Sequence, residues 1–153
     1  MGVPGHDEDL DDFSPSGLAQ HSELRRATLA ELAAAYELVP AHQTLYNLAR
    51  VHAALGHAVE AAAAYARYIE DGGDALSARR RREAEAALAM QRARIGRIRV
   101  SANVVGATIA IDGVDVAQTP LEEPIDLSAG AHIIEVHAPG RETGRRAVAV
   151  AGQ

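Results

Sequence analysis

The chain has 153 residues and a mass of 16.1 kDa, enough for one ordinary domain or two small ones. Its 15 basic residues against 21 acidic give a formal net charge of -6, which speaks to solubility and names no partner. Cysteine and lysine are both absent, which excludes disulfides, thiolate nucleophiles, Cys-held zinc, Schiff-base lysines and the P-loop lysine; with 3% aromatic residues, the core must be built from Ala, Leu, Val and Ile.

Residues 1–10 have neither the basic start nor the apolar run of a signal peptide, and no stretch approaches the roughly 18 apolar residues of a membrane span. Residues 1–17 hold Pro4, Pro15 and the acids Asp7, Glu8, Asp9, Asp11 and Asp12, with only Val3, Leu10 and Phe13 to bury, and are expected to form a disordered acidic tail. Helical hairpins are expected over 18–76. Ser22 suits the N-cap of a first helix in which Leu24, Ala27, Leu32, Ala35 and Tyr36 recur at helical steps, and Pro40 stops it. A second helix, about 43–55, presents Leu45, Leu48, Ala49 and His52, with Gly56 placed to end it. A third, about 59–70, carries Ala61, Tyr65 and Tyr68 on one side. Turns this short require the three helices to lie antiparallel.

A fourth, connecting helix is expected over 77–96, with a thin apolar line of Ala84, Ala87, Leu88 and Met90. Its arginines are Arg79, Arg80, Arg81, Arg82, Arg92 and Arg94, with Arg97 and Arg99 just beyond; only Glu83 and Glu85 oppose them, a local charge of +6. Residues 1–37 carry the opposite balance, a local -6. After Gly96 the pattern changes to period two: Ile98 and Val100, Ile109 and Ile111, Val114 and Val116, Ile125 and Leu127, Ile134 and Val136, Val148 and Val150. This predicts about six short strands with one buried side, the pair around Asp112-Gly113 forming a tight hairpin. The fold class expected is α+β, an antiparallel helical array followed by a small all-β sandwich over 97–153.

Self-comparison at about 33 residues superposes Leu32, Ala35 and Pro40 on Tyr65, Tyr68 and Gly73. Around the second helix, the order Leu45, Leu48-Ala49, Gly56, Ala61 and Tyr65 resembles the tetratricopeptide repeat, in which small residues let two helices approach and large ones fill the space between them. The likeness covers about 42–75, with the preceding helix as half of an earlier repeat; His52 and Gly73 depart from the family's usual aromatic and Pro. Such arrays need about three repeats. Either these helices dock on something else, or the chain is shortened at its N-terminus. The resemblance implies a groove for extended peptides lined by Gln43, Tyr46, Asn47 and Arg50, where Asn47 and Arg50 would hold a partner's backbone or carboxylate and Tyr46 would supply apolar contact.

The β half resembles a PEGA domain. The residues that carry the likeness are Gly96 to Val100, Gly106-Ala107 leading into Ile109 to Gly113, Thr119-Pro120-Leu121, Leu127 to His132 leading into Ile134-Glu135-Val136, and Pro139-Gly140. The name-giving tetrapeptide stands as Ser128-Ala129-Gly130-Ala131, without its Pro and Glu. The resemblance implies a non-catalytic sandwich of bacterial envelope, surface-layer and signalling proteins, and the combination resembles myxobacterial-type proteins with tetratricopeptide and PEGA parts. It favours a periplasmic or envelope location, although this chain shows no export signal.

Candidate chemistry is sparse. No nucleophile motif or phosphate loop is present, and no cofactor is implied. His6, Asp7 and Asp9 belong to the expected tail. His132 and His137 are five apart on a predicted strand and so on opposite faces. His52 and His57 flank a turn that can bring them together, but with no carboxylate in view to complete a three-ligand set, packing for His52 and solvent for His57 are expected and no metal site is assigned. Glu122, Glu123 and Asp126 lie on a turn with no apolar cover to raise a pKa. The reading is a non-catalytic interaction adaptor with a protein or peptide partner and an envelope anchor. Two alternatives stand beside it: self-assembly through unsatisfied faces and strand edges, and electrostatic binding of an acidic partner by the arginine helix. Sparse aromatics and the acidic total weigh against nucleic acid.

Overall fold

A computed structural model describes residues 15–38 and 42–153, in which four helices precede six strands. The acidic segment before Pro15 and the stop expected at Pro40 lie outside the described residues. The helices are α1 (Pro15–Leu38), α2 (His42–Leu55), α3 (Ala58–Gly72) and α4 (Ala78–Arg92), with a short 3-10 turn at Gly73–Ala75. Pro15 to Gly17, expected in the tail, open α1, so the helix starts before Ser22, which lies within it and not at its N-cap position. Pro15 suits a first helical position, where its fixed φ is helical and its missing N–H has no partner to lose. Among the described residues α1 packs mainly on α2, and its expected apolar face is largely open: Leu24 is 66% exposed and Leu32 half-buried.

Helices α2, α3 and α4 share one core of Leu45, Ala49, Ala62, Tyr65, Tyr68, Leu76, Ala84 and Leu88. Ala49, Ala58 and Ala61 are completely buried, which allows the close backbone approach that the small residues predict. On α4 the buried line differs by one residue from the expected one. Gln91 is buried and Met90 is exposed, because Ala84, Leu88 and Gln91 follow the four- and three-residue steps of one face.

The strands are β1 (Ile95–Ile98), β2 (Thr108–Ile111), β3 (Val114–Gln118), β4 (Ile125–Ser128), β5 (Gly130–His137) and β6 (Gly144–Val150). β1 and β4 form a two-stranded antiparallel sheet; the other four form a sheet in the order β3-β2-β5-β6, also antiparallel. Ile109, Ile111 and Ile134 make the centre of its core, and Ile98, Ile125 and Leu127 of the small sheet pack against them, so two layers enclose one apolar interior. The Asp112-Gly113 turn has φ of 51° and 82°, the positive pair that a two-residue hairpin requires.

The halves have separate cores but touch directly. Ile95 packs on the helical core, the Ala129 N–H donates to the Arg94 carbonyl at 2.6 Å, and the Ala58 N–H at the start of α3 donates to Ser128 Oγ at 2.8 Å. Ser128 thereby caps a helix 70 residues away in sequence. His57, the residue at the N-cap position itself, makes no side-chain capping bond.

Candidate functional site

The four groove residues expected on α2 share its outer face, because positions 43, 46, 47 and 50 are three, four and seven apart, while Leu45, Leu48 and Ala49 turn inward. Gln43, Tyr46 and Asn47 line a recess of about 240 Å3 together with Tyr68 of α3 and Arg80 and Glu83 of α4. Its wall is aromatic. Tyr46 lies edge-on to Tyr65 at 5.8 Å between ring centroids and tilted against Tyr68 at 5.0 Å. Burial pushes the Tyr65 hydroxyl above its usual range, with Tyr46 adding to the shift and the charge of Arg50 opposing it. Arg50 itself borders a different recess, between α1 and α2, with Arg25, Leu32 and Val51; Asn47 lines both.

The six arginines of the connecting helix do not act as one patch. Arg79 pairs with Glu83 at 2.8 Å, one helical turn on, and Arg81 donates to the Gly73 carbonyl at 2.6 Å, tying α4 to the end of α3. Arg80 faces the recess, and among the described residues no carboxylate pairs with it. Arg82, Arg92 and Arg94 are exposed. Beyond the helix, Arg97 pairs with Asp126 at 2.7 Å, which draws one member of the expected carboxylate cluster into an ion pair; Glu122 and Glu123 are exposed. The structure thus brings three of the four groove residues to one of the six arginines.

The turn between α2 and α3 gathers three polar side chains. The His57 N–H donates to the His52 carbonyl at 2.9 Å across Gly56, whose φ is 81°. This six-to-one bond around a left-handed residue is the Schellman arrangement, which sets the side chains at its two ends against each other. Here both are imidazoles, with Nδ1 atoms 3.4 Å apart. Contrary to the expectation that no carboxylate lies close, Glu60, the third residue of α3, adds one: ligand atoms of His52, His57 and Glu60 all lie within 4.8 Å of one another. Burial pushes the His52 pKa down; Glu60 pulls it up and His57 adds to the lowering. The signal was present in the sequence, since an N-cap residue and the Glu at the third helical position have capping-box spacing.

The β half supplies six strands in two antiparallel layers, a tight Asp-Gly hairpin and a buried Ile109 at its centre. Residues 95–153 match the family model of the PEGA domain. The match begins with β1 at Ile95 and leaves the four helices outside it. No curated protein and no solved structure matches the chain at a significant level.

Within the PEGA domain a polar chain crosses from the hairpin to the helices. Asp112 Oδ1 accepts the Ile133 N–H at 2.8 Å, and Oδ2 lies 2.6 Å from His132 Nδ1. His132 Nε2 is 2.7 Å from the Ser128 carbonyl, and the Ser128 hydroxyl takes the Ala58 N–H. The backbone bond to Ile133 and the bond to His132 hold the Asp112 carboxyl below its usual range. For His132 burial acts to lower the pKa, but the bonds to Asp112 and Ser128 together outweigh it and the net shift is upward. These three residue types occur in hydrolase triads, yet His132 addresses the carbonyl of Ser128 and not its hydroxyl, so the geometry does not activate a nucleophile. His137 lies at the far end of β5, 3.7 Å from Asp115.

Sequence reasoning missed one feature of the PEGA domain. Beside the end of β1 and the start of β6, a recess of about 760 Å3 has Val100, Val136 and Val148 in its lining and Arg99, Arg145 and Arg146 among its polar groups. Arg145 is partly engaged by Glu135 at 3.6 Å. Arg99 stands 46 residues before the adjacent pair Arg145-Arg146, and only the folded β half brings it to them. Among the described residues no helix is long and apolar enough to cross a membrane.

Proposed function

We propose that the protein is a non-catalytic interaction adaptor whose tetratricopeptide-like helices hold an extended peptide segment bearing a carboxylate, while the PEGA domain attaches the assembly to a cell-envelope component. The observation that carries this reading is the convergence of Gln43, Tyr46 and Asn47 with Arg80 around one recess. Glu83, the one acid in that lining, is already paired with Arg79, so Arg80 is the cation offered to a ligand. Gln43 and Asn47 supply amides that can both donate to and accept from a peptide backbone, and Tyr46 and Tyr68 supply a rigid aromatic wall.

A displayed library of peptides with free C-termini, selected on the full chain, tests this reading. Enriched sequences are expected to lose binding when their carboxylates are amidated, and to bind at least tenfold more weakly to Arg80→Glu and to Tyr46→Ala. Enrichment that survives both substitutions, or no enrichment, counts against the groove.

A second reading, self-assembly, is favoured by one specific observation. β3 is an edge strand, and Val114 and Val116 on it are 63% and 47% exposed, so unpaired backbone and apolar side chains lie together. A concentration-independent monomer mass in light scattering would remove it.

A further inference from the structure

We propose that His52, His57 and Glu60 form a binding site for a borderline divalent transition-metal ion, of which Zn2+ is the type, at the turn between α2 and α3. Two imidazoles and one carboxylate are a common donor set for such an ion, with water taking the fourth position. The spacing fits. Two nitrogens bound tetrahedrally at ordinary zinc distances are about 3.3 Å apart, and the two Nδ1 atoms are 3.4 Å apart. The third donor lies within the same 4.8 Å span.

The backbone preorganises the set. The bond from the His57 N–H to the His52 carbonyl fixes the two ends of the Schellman turn, and the bond from the Ala61 N–H to the His57 carbonyl at 2.9 Å sets the first turn of α3, which carries Glu60 on the same side as His57. His57 stands at the N-cap position without a capping bond from its side chain, and the Ser128 hydroxyl covers the adjacent Ala58 N–H instead, so the imidazole is not needed by the helix. The nitrogen donors select against Mg2+ and Ca2+, which take oxygen ligands. A bound ion would staple the helical hairpin beside the point where the PEGA domain docks.

The test is calorimetric titration of the full chain with ZnCl2 in a non-chelating buffer, with Co2+ absorption as a second readout of geometry. One ion per chain is expected to bind with micromolar or tighter affinity, Co2+ is expected to give the intense visible bands of a tetrahedral site, and excess Mg2+ is expected not to compete. His57→Ala is expected to abolish the event and Glu60→Gln to weaken it at least tenfold. Neither residue belongs to a core cluster, and circular dichroism checks that the variants stay folded. The double change His132→Ala/His137→Ala is expected to leave affinity within twofold. Zn2+ binding that is unaffected by His57→Ala and Glu60→Gln, binding lost in the His132/His137 variant, or no one-to-one binding in the micromolar range overturns the site.

Discussion

Gln91 is 4% exposed and its Oε1 has no hydrogen-bond partner, a cost of about 1–3 kcal/mol for a buried polar atom. Gln91→Leu keeps the volume and removes the orphan, so urea unfolding is expected to show a gain of about 1 kcal/mol; a loss would mean that the amide has a partner. His132 has the opposite character, since every ring nitrogen is engaged. Its folded-state pKa is raised above 6.5, so its contribution is full below that pH and is lost as pH rises through the folded value. Asp112, held below 3.8, contributes above that pH and loses its contribution as pH falls through its folded value. His132→Ala should therefore destabilise more at pH 5.5 than at pH 8.5, and equal losses at the two values would contradict the assignment. Residue-scale features of this kind were hard to read from sequence. On α4, Met90 is the more apolar side chain, yet the three- and four-residue steps from Ala84 through Leu88 select Gln91 for burial.

Elements were more legible than their joints. Leu45, Leu48, Tyr65 and Tyr68 announce α2 and α3 by periodicity, and Asp112-Gly113 announces the β2–β3 hairpin by its demand for positive φ. The joints depend on backbone groups that no side-chain pattern encodes. Ser128 reads as a turn residue, but its hydroxyl caps α3 and its carbonyl receives His132. Ser128→Ala is expected to cost about 1 kcal/mol, the usual worth of a helix cap, and to be visible as a fall in the melting temperature. Gly96 is tighter still. A Cβ there would collide with the Ala151 carbonyl and the Val150 side chain, so Gly96→Ala should destabilise by about 1–3 kcal/mol. A neutral result would show that the C-terminal end gives way freely. In the His52–His57–Glu60 group the turn that joins the two imidazoles is legible from Gly56, whereas Glu60 joins them from the first turn of the next helix, at capping-box spacing from His57.

At the scale of the molecule, an α+β division with six strands in two sheets follows from the change of hydrophobic period near Gly96. The halves keep separate cores and are joined by the Ala129–Arg94 and Ala58–Ser128 bonds and by Ile95. The recess on the helices was legible on its α2 side alone. Which member of the Arg79 to Arg82 run would meet it depends on the register of α4: Ala84 and Leu88 are buried, and Arg80 extends that stripe by one turn toward Tyr46. The adaptor reading stands on this convergence. Its most direct measurement is the fluorescence anisotropy of a library-selected, labelled peptide titrated with the full chain, compared with the same peptide amidated at its carboxylate and with Arg80→Glu. The account predicts at least tenfold weaker binding for either change and no further loss when the two are combined. Equal affinities across all four combinations would contradict it.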